Sequence, residues 1–144
     1  NIYGKKQARS LMKQDKAFEK LSACLDTLIE LKDKYGPDHG KVIQTMSKLA
    51  ALYLESGNAK GIAKYNEVLE LQIKKYGEFS AQVSATHVNL GEYWAKKRDI
   101  DNAIDSFSKS KEIDTYLYGN NHPQIAQHLN RMGLAELERS EFTL

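Results

Sequence analysis

Large apolar residues recur along this chain at spacings of three, four and seven, the period of an amphipathic helix. Three stretches align under one another. Val42, Val83 and Ile125 correspond; so do Leu49, Leu90 and Met132. Each of the second set is followed by a small residue: Ala50, Gly91 or Gly133. Three residues further on stand Tyr53, Trp94 and Glu136. The small residue admits a neighbouring helix, and the aromatic fills the space between layers. Glu136 breaks that pattern and is expected at an exposed edge. A second helix follows each of the first two stretches. Ile62, Tyr65, Leu69 and Ile73 form one stripe; Ile104, Phe107, Lys111 and Thr115 fall at the equivalent places, with Ile100 and Ile113 adding apolar contacts. Gly61 and Ala103 are the paired small residues before Tyr65 and Phe107. Ser56-Gly57-Asn58 and Arg98-Asp99 read as turns.

Upstream, Ala8, Leu11, Met12, Phe18, Leu21, Leu25, Leu28 and Ile29 continue a helical stripe without a breaker. This segment reads as one long helix or as two joined near Gln14-Asp15, and two are favoured. At the other end, Ala135 to Phe142 heads towards a turn with no further helix after it.

Between helix pairs lie Tyr35-Gly36, Tyr76-Gly77 and Tyr118-Gly119, 41 and 42 residues apart. A period of this length marks stacked supersecondary units. Each glycine sits where a helix would end in a left-handed residue. His39, Ser80 and His122 then fall where the next helix begins, with Pro123 at a natural first helical position. Residues 1–144 therefore read as one repeat array: 1–34 as a first helix or helix pair, 35–76 and 77–118 as full repeats, 119–144 as a partial one. The array has the look of a fragment of a larger protein.

Composition adds limits. Charged residues make up 28% and hydrophobic ones 41% of 144 residues, a folded composition. The net charge of +2 is graded along the chain: +3 over 1–34, +2 over 35–76, −2 over 77–118 and −1 over 119–144. That balance is too small for a general nucleic-acid binder. No apolar run reaches the roughly 20 residues of a membrane span. Cys24 is the single cysteine, so no internal disulfide forms, and its apolar setting suits a small core residue. A reducing, cytoplasmic location fits.

Candidate chemistry is sparse. Gly36-Pro-Asp-His-Gly-Lys41-Val42 has a superficial likeness to a phosphate loop. It is one residue short, ends in Val and lacks a preceding strand. His122 and His128 have no matching carboxylate or cysteine set, which argues against zinc. His87, at the position of Met46 and Leu129, reads as a core histidine with a hydrogen-bond partner. Lys109, Lys111, Glu112 and Asp114, with Lys64 and Lys74, read as an outward, solvated face. No catalytic residue, metal or cofactor is expected.

The Leu-Gly, aromatic and Ala markers resemble tetratricopeptide repeats over about residues 17 to 138. The roughly 42-residue unit and its Tyr-Gly-x-x-His-Pro linker, best seen in YGNNHPQIAQHLNRMG at 118–133, are similar to those of kinesin light chains and related scaffolds. Ser80-Ala81, Gly40 and Glu136 depart from that pattern. The resemblance implies an all-α, right-handed α-solenoid whose first helices line a concave face. It places Gln44, Ser47 and Lys48, Val88 and Asn89, and Gln127, Asn130 and Arg131 on that face, with Lys48, Asn89 and Arg131 as a row, one per repeat. It implies a non-catalytic adaptor that binds a peptide or helical segment, preferably acidic, and association with the cytoskeleton or a cilium. The alternatives are a structural module that self-associates through its terminal helices and a ligand-sensing regulatory domain.

Overall fold

The computed structural model describes residues 2–142, which form six helices and, among the described residues, no strand. Two compact units divide the chain, Asn1–Asn66 and Glu67–Leu144.

In the first unit, α1 (Ile2–Tyr35) packs on α2 (Gly40–Glu55). α1 is a single helix of 34 residues, not the favoured pair. Gln14-Asp15 does not break it, because neither residue carries the steric penalty of proline or the entropy of glycine. The expected apolar stripe splits along its length. Leu21, Cys24, Leu25 and Leu28 turn inward to varying degrees, whereas residues 2–20 are exposed throughout, Phe18 by 70%. The unit's core joins Leu28 to Val42, Ile43, Met46, Leu49 and Ala50 of α2 and to Tyr65 of α3 (Lys60–Tyr76), whose first residues belong here. Gly61 explains the close start of α3: an added Cβ would lie 2.5 Å from the Leu54 side chain and 2.8 Å from the Ala50 carbonyl oxygen.

The second unit holds the rest of α3, α4 (Ala81–Lys96), α5 (Ile100–Tyr118) and α6 (Pro123–Phe142). α5 packs against both α4 and α6. Val68, Val83, Leu90, Ile100, Ala103, Phe107, Ile113, Ile125 and Ala135 form its core. As expected, Glu136 is exposed; its neighbour Ala135 is buried instead.

Local chemistry explains the joints. Gly36, Gly77 and Gly119 have φ of 88°, 90° and 89°, and each N–H donates to the carbonyl four residues back, at 2.9 Å in all three. The following helices are capped by side chains. His39 Nδ1 accepts from the Lys41 N–H and His122 Nδ1 from the Gln124 N–H, both at 3.2 Å; Ser80 Oγ accepts from the Val83 N–H at 3.3 Å. The tyrosine of the joint stacks on its capping histidine, with ring centroids 4.4 Å apart for Tyr35–His39 and 4.8 Å for Tyr118–His122. Both histidines are thus structural.

The turn inside each repeat also recurs. Gly57 (φ 78°) and Arg98 (φ 62°) occupy equivalent positions, followed by Asn58 and Asp99, whose N–H groups close back onto Tyr53 and Trp94 carbonyls. No atom lies within 4 Å of a Cβ added at Gly57. Gly57→Ala should therefore cost only the left-handed backbone penalty, about 1 kcal/mol, read as a lower urea midpoint with unchanged slope.

Candidate functional site

The second unit carries a buried polar ladder that follows the repeat. Gln72 of α3 and Thr86 of α4 are both buried, and Thr86 Oγ1 donates to Gln72 Oε1 at 2.7 Å. Forty-two residues on, Asp114 of α5 and His128 of α6 occupy the same two places. His128 Nε2 lies 2.5 Å from Asp114 Oδ2, with both side chains almost wholly buried. The neutral rung of one repeat becomes a carboxylate–imidazole rung in the next. In the first unit the matching residues are Leu31 and Thr45, and Thr45 Oγ1 turns to the Lys41 carbonyl of its own helix.

Two serines complete the second rung. Ser84 Oγ donates to Asp114 Oδ1 at 2.7 Å and lies 2.7 Å from Ser110 Oγ; Ser110 Oγ lies 3.3 Å from His128 Nε2. Ser84 has one proton, which the carboxylate takes, so Ser110 donates to Ser84. Every donor thus runs towards Asp114. His128 Nδ1, buried on the other side of the ring, has no partner among the described residues.

Beside this rung lies a cleft of about 230 Å³ between α4 and α6, lined in part by Tyr118. Its walls include Val88, Asn89, Gln127 and Arg131, with Asp114 and His128 also lining it. Four of the expected groove residues therefore share one cleft. Asn130 is exposed on α6 but does not line it. Arg131 is 31% exposed, and its Nε lies 3.8 Å from Glu92 Oε1, so its charge is partly shared. Lys48, Gln44 and Ser47 are on α2 in the first unit; Lys48 and Gln44 are exposed and Ser47 half-buried. Lys48 lines a different cleft of about 500 Å³, with Lys20, Cys24, Thr45 and Leu52. Burial there raises the Cys24 thiol pKa, opposed by the nearby Lys48 charge. A raised pKa disfavours the thiolate, so Cys24 is a poor nucleophile.

Three sequence expectations need correction. Asp114 is not on the solvated face: it is 4% exposed, whereas Lys109, Glu112 and Lys74 do face solvent and Lys64 and Lys111 are half-buried. Of neighbouring positions in α4 it is Thr86 (2% exposed) and not His87 that is buried, and in α6 it is His128 (2%) and not Leu129 (52%). Polar partners on the preceding helix draw Thr86 and His128 in, while no described helix covers Leu129. The signal was present in the sequence, since Gln72 and Asp114 share a repeat position and so do Thr86 and His128. A polar residue at a helix position is ambiguous until its partner is known.

His87 is half-buried, and burial lowers its pKa below 6.5, with Lys109 acting the same way and Asp105 and Glu78 opposing. The folded state then binds fewer protons than the unfolded one near and below pH 6.5, so this group's contribution to stability falls as pH drops through that range. An NMR titration should place the His87 imidazole below the free value, and His87→Asn should flatten the acid side of the stability profile.

No family model matches this chain, and no curated protein matches it in sequence. Among solved structures, the crystal structure of BtubC (BKLC), a kinesin light chain-like protein from P. vanneervenii, is similar, with a TM-score of 0.76. The match covers 90% of this chain and 52% of that one, at 19% identity. The chain thus spans about half the length of BtubC. At that identity the likeness speaks to fold alone, and the fold is an all-α helical-repeat solenoid of the tetratricopeptide type.

Proposed function

We propose that this chain is a non-catalytic adaptor module whose second unit binds an extended peptide segment in the cleft between α4 and α6. The observation that carries this reading is the gathering of Val88, Asn89, Gln127 and Arg131 around one cleft. Asn and Gln carboxamides both donate and accept, which suits a peptide backbone, and Arg pairs with carboxylates. The cleft's volume, about 230 Å³, is below the range typical of sites for drug-sized molecules, which favours a single side chain of a longer segment. The acidic preference rests on Arg131 here and on Lys48 in the first unit.

Fluorescence anisotropy with a pool of labelled acidic peptides tests this. Asn89→Ala and Arg131→Glu together should weaken binding at least about tenfold, the loss expected when one charge-assisted hydrogen bond is removed, and added salt should weaken binding to the natural chain. Equal affinity for the natural and doubly substituted chains would sink the assignment. Self-association is the second reading, favoured by Leu129, Leu134 and Leu137 on α6, which are 52%, 55% and 56% exposed. A light-scattering series that stays monomeric with rising concentration argues against it.

A further inference from the structure

We infer that α1 is an exchange arm for a second copy of this chain: residues 2–15 of each copy pack antiparallel along residues 17–31 of the other, giving a two-fold dimer. This contact is independent of the α4–α6 cleft, and it uses α1 rather than the exposed leucines of α6. Two clefts occupy the same repeat position. In the register fixed by Tyr35 and Tyr118, Cys24, Lys48, Leu52 and Glu55 of the first unit match Phe107, Arg131, Ala135 and Glu138 of the second. Each set lines a cleft. In the second unit α4 adds a wall made of Glu92, Ala95 and Lys96, and the cleft measures about 250 Å³. In the first unit only α1 and α2 line the cleft, which measures about 500 Å³.

The same register assigns the missing wall to Arg9, Met12 and Lys13, all exposed, Met12 by 61%. Ala8 and Leu11 fall at the places of Gly91 and Trp94, the small and the bulky position. The arm cannot serve its own chain, because α1 runs unbroken past Gln14-Asp15, where the second unit turns at Arg98-Asp99. At 1.5 Å per residue, Ala8 and Cys24 stand about 24 Å apart along that helix. A second copy removes the obstacle. Two antiparallel α1 helices related by an axis near Lys16 bring Ala8 of each to Cys24 of the other. Gly91 and Phe107 make the equivalent contact in the second unit, where a Cβ built on the glycine falls 2.5 Å from the ring. Here the added methyl meets a thiol smaller than that ring. A two-fold axis repeats the contact, so both clefts are covered at once, as in exchange of an identical element between protomers. Leu11, 60% exposed, and Phe18, 70% exposed beside the axis, lie within the paired stretch.

Charge favours the same pairing. The arm, residues 2–15, carries Lys5, Lys6, Arg9 and Lys13 against Asp15, a net +3. Residues 17–31, along which it lies, carry Glu19, Asp26 and Glu30 against Lys20, a net −2. Arg9 is the exception. It takes the place of Glu92 and so meets Lys48, whereas the second unit sets Glu92 3.8 Å from Arg131. Reversing the charge of Lys48 relieves that clash and adds to the attraction for the basic arm.

Two measurements on the whole chain test this. Sedimentation equilibrium should show a dimer that Leu11→Glu returns to monomer; Leu11 is exposed, so the core is untouched. Lys48→Glu should tighten the dimer about two- to fivefold, the worth of an exposed ion pair. Cross-linking then reads the register. In Ala8→Cys, a short bis-maleimide should join the introduced thiol to Cys24 of the other copy, giving a covalent dimer whose linked peptides are identified by mass spectrometry. A link between the two positions within one chain means that α1 folds back on itself, and it overturns the exchange. A chain that stays monomeric, a dimer loosened by Lys48→Glu, or a link through position 8 of both copies overturns it as well. None of these outcomes bears on peptide binding between α4 and α6.

Discussion

His128→Ala should destabilise the second unit by about 3–5 kcal/mol, the cost of stripping a buried carboxylate of its charged or hydrogen-bonded partner. Asp114 keeps only Ser84 after that change, and at 4% exposure it stays poorly hydrated at the edge of the cleft. Against a typical total of about 5–15 kcal/mol, such a loss leaves the unit marginal. The readout is urea unfolding followed by the fluorescence of Trp94, the sole tryptophan, which lies on α4 within the same unit. Asp114→Gln combined with His128→Thr should recover most of the loss. The combination rebuilds, at the same repeat position, the 2.7 Å bond seen between Gln72 and Thr86. The two substitutions are in contact, so their effects should not add, and the coupling between them measures the rung. If the single substitution cost less than about 1 kcal/mol, Asp114 would not be held as a buried charge.

The same rung marks the boundary of what sequence reading can reach. Joints, turns and caps were legible because their causes are local. A glycine that must take φ near 90°, a histidine two residues before the N–H it caps, and a turn glycine at 57 are each decided within five residues. The apolar stripe was legible because Val42, Val83 and Ile125 repeat it. Asp114 was not, because an aspartate on a helix is far more often solvated than buried, and only its pairing with His128 across two helices reverses that expectation. His87 and Leu129 were misplaced for a related reason. Neighbouring helix positions differ by 100° around the axis, so a stripe leaves an uncertainty of one residue that partners on the next helix resolve. The single α1 helix shows the converse: nothing local breaks at Gln14-Asp15, and the exposure of residues 2–20 is a matter of what covers them. Of the groove residues, those on α4 and α6 could be brought together by repeat register alone, since one unit contains both helices.

Repeat register also yields a prediction in which one substitution has opposite signs at two equivalent sites. Gly91 and Gly133 both follow the apolar residue at the same repeat position of their helix, Leu90 and Met132. At Gly91 an added Cβ would meet Phe107 Cε1 at 2.5 Å and Cδ1 at 2.7 Å, and Phe107 is 2% exposed, with no room to swing away. At Gly133 nothing among the described residues lies within 4 Å. Alanine gains about 1 kcal/mol over glycine in a helix interior, whereas overpacking a core costs about 1–3 kcal/mol and sometimes more. Gly133→Ala should therefore stabilise by up to about 1 kcal/mol. Gly91→Ala should destabilise despite the same helical gain, and Gly91→Leu should cost about 3 kcal/mol or more because its branches extend into the ring's place. Urea midpoints of the three variants, measured with the same fluorescence signal, decide it. A stabilising Gly91→Ala would mean that α5 can move away from α4, and that the small residue of each repeat is not what sets how closely its two helices approach.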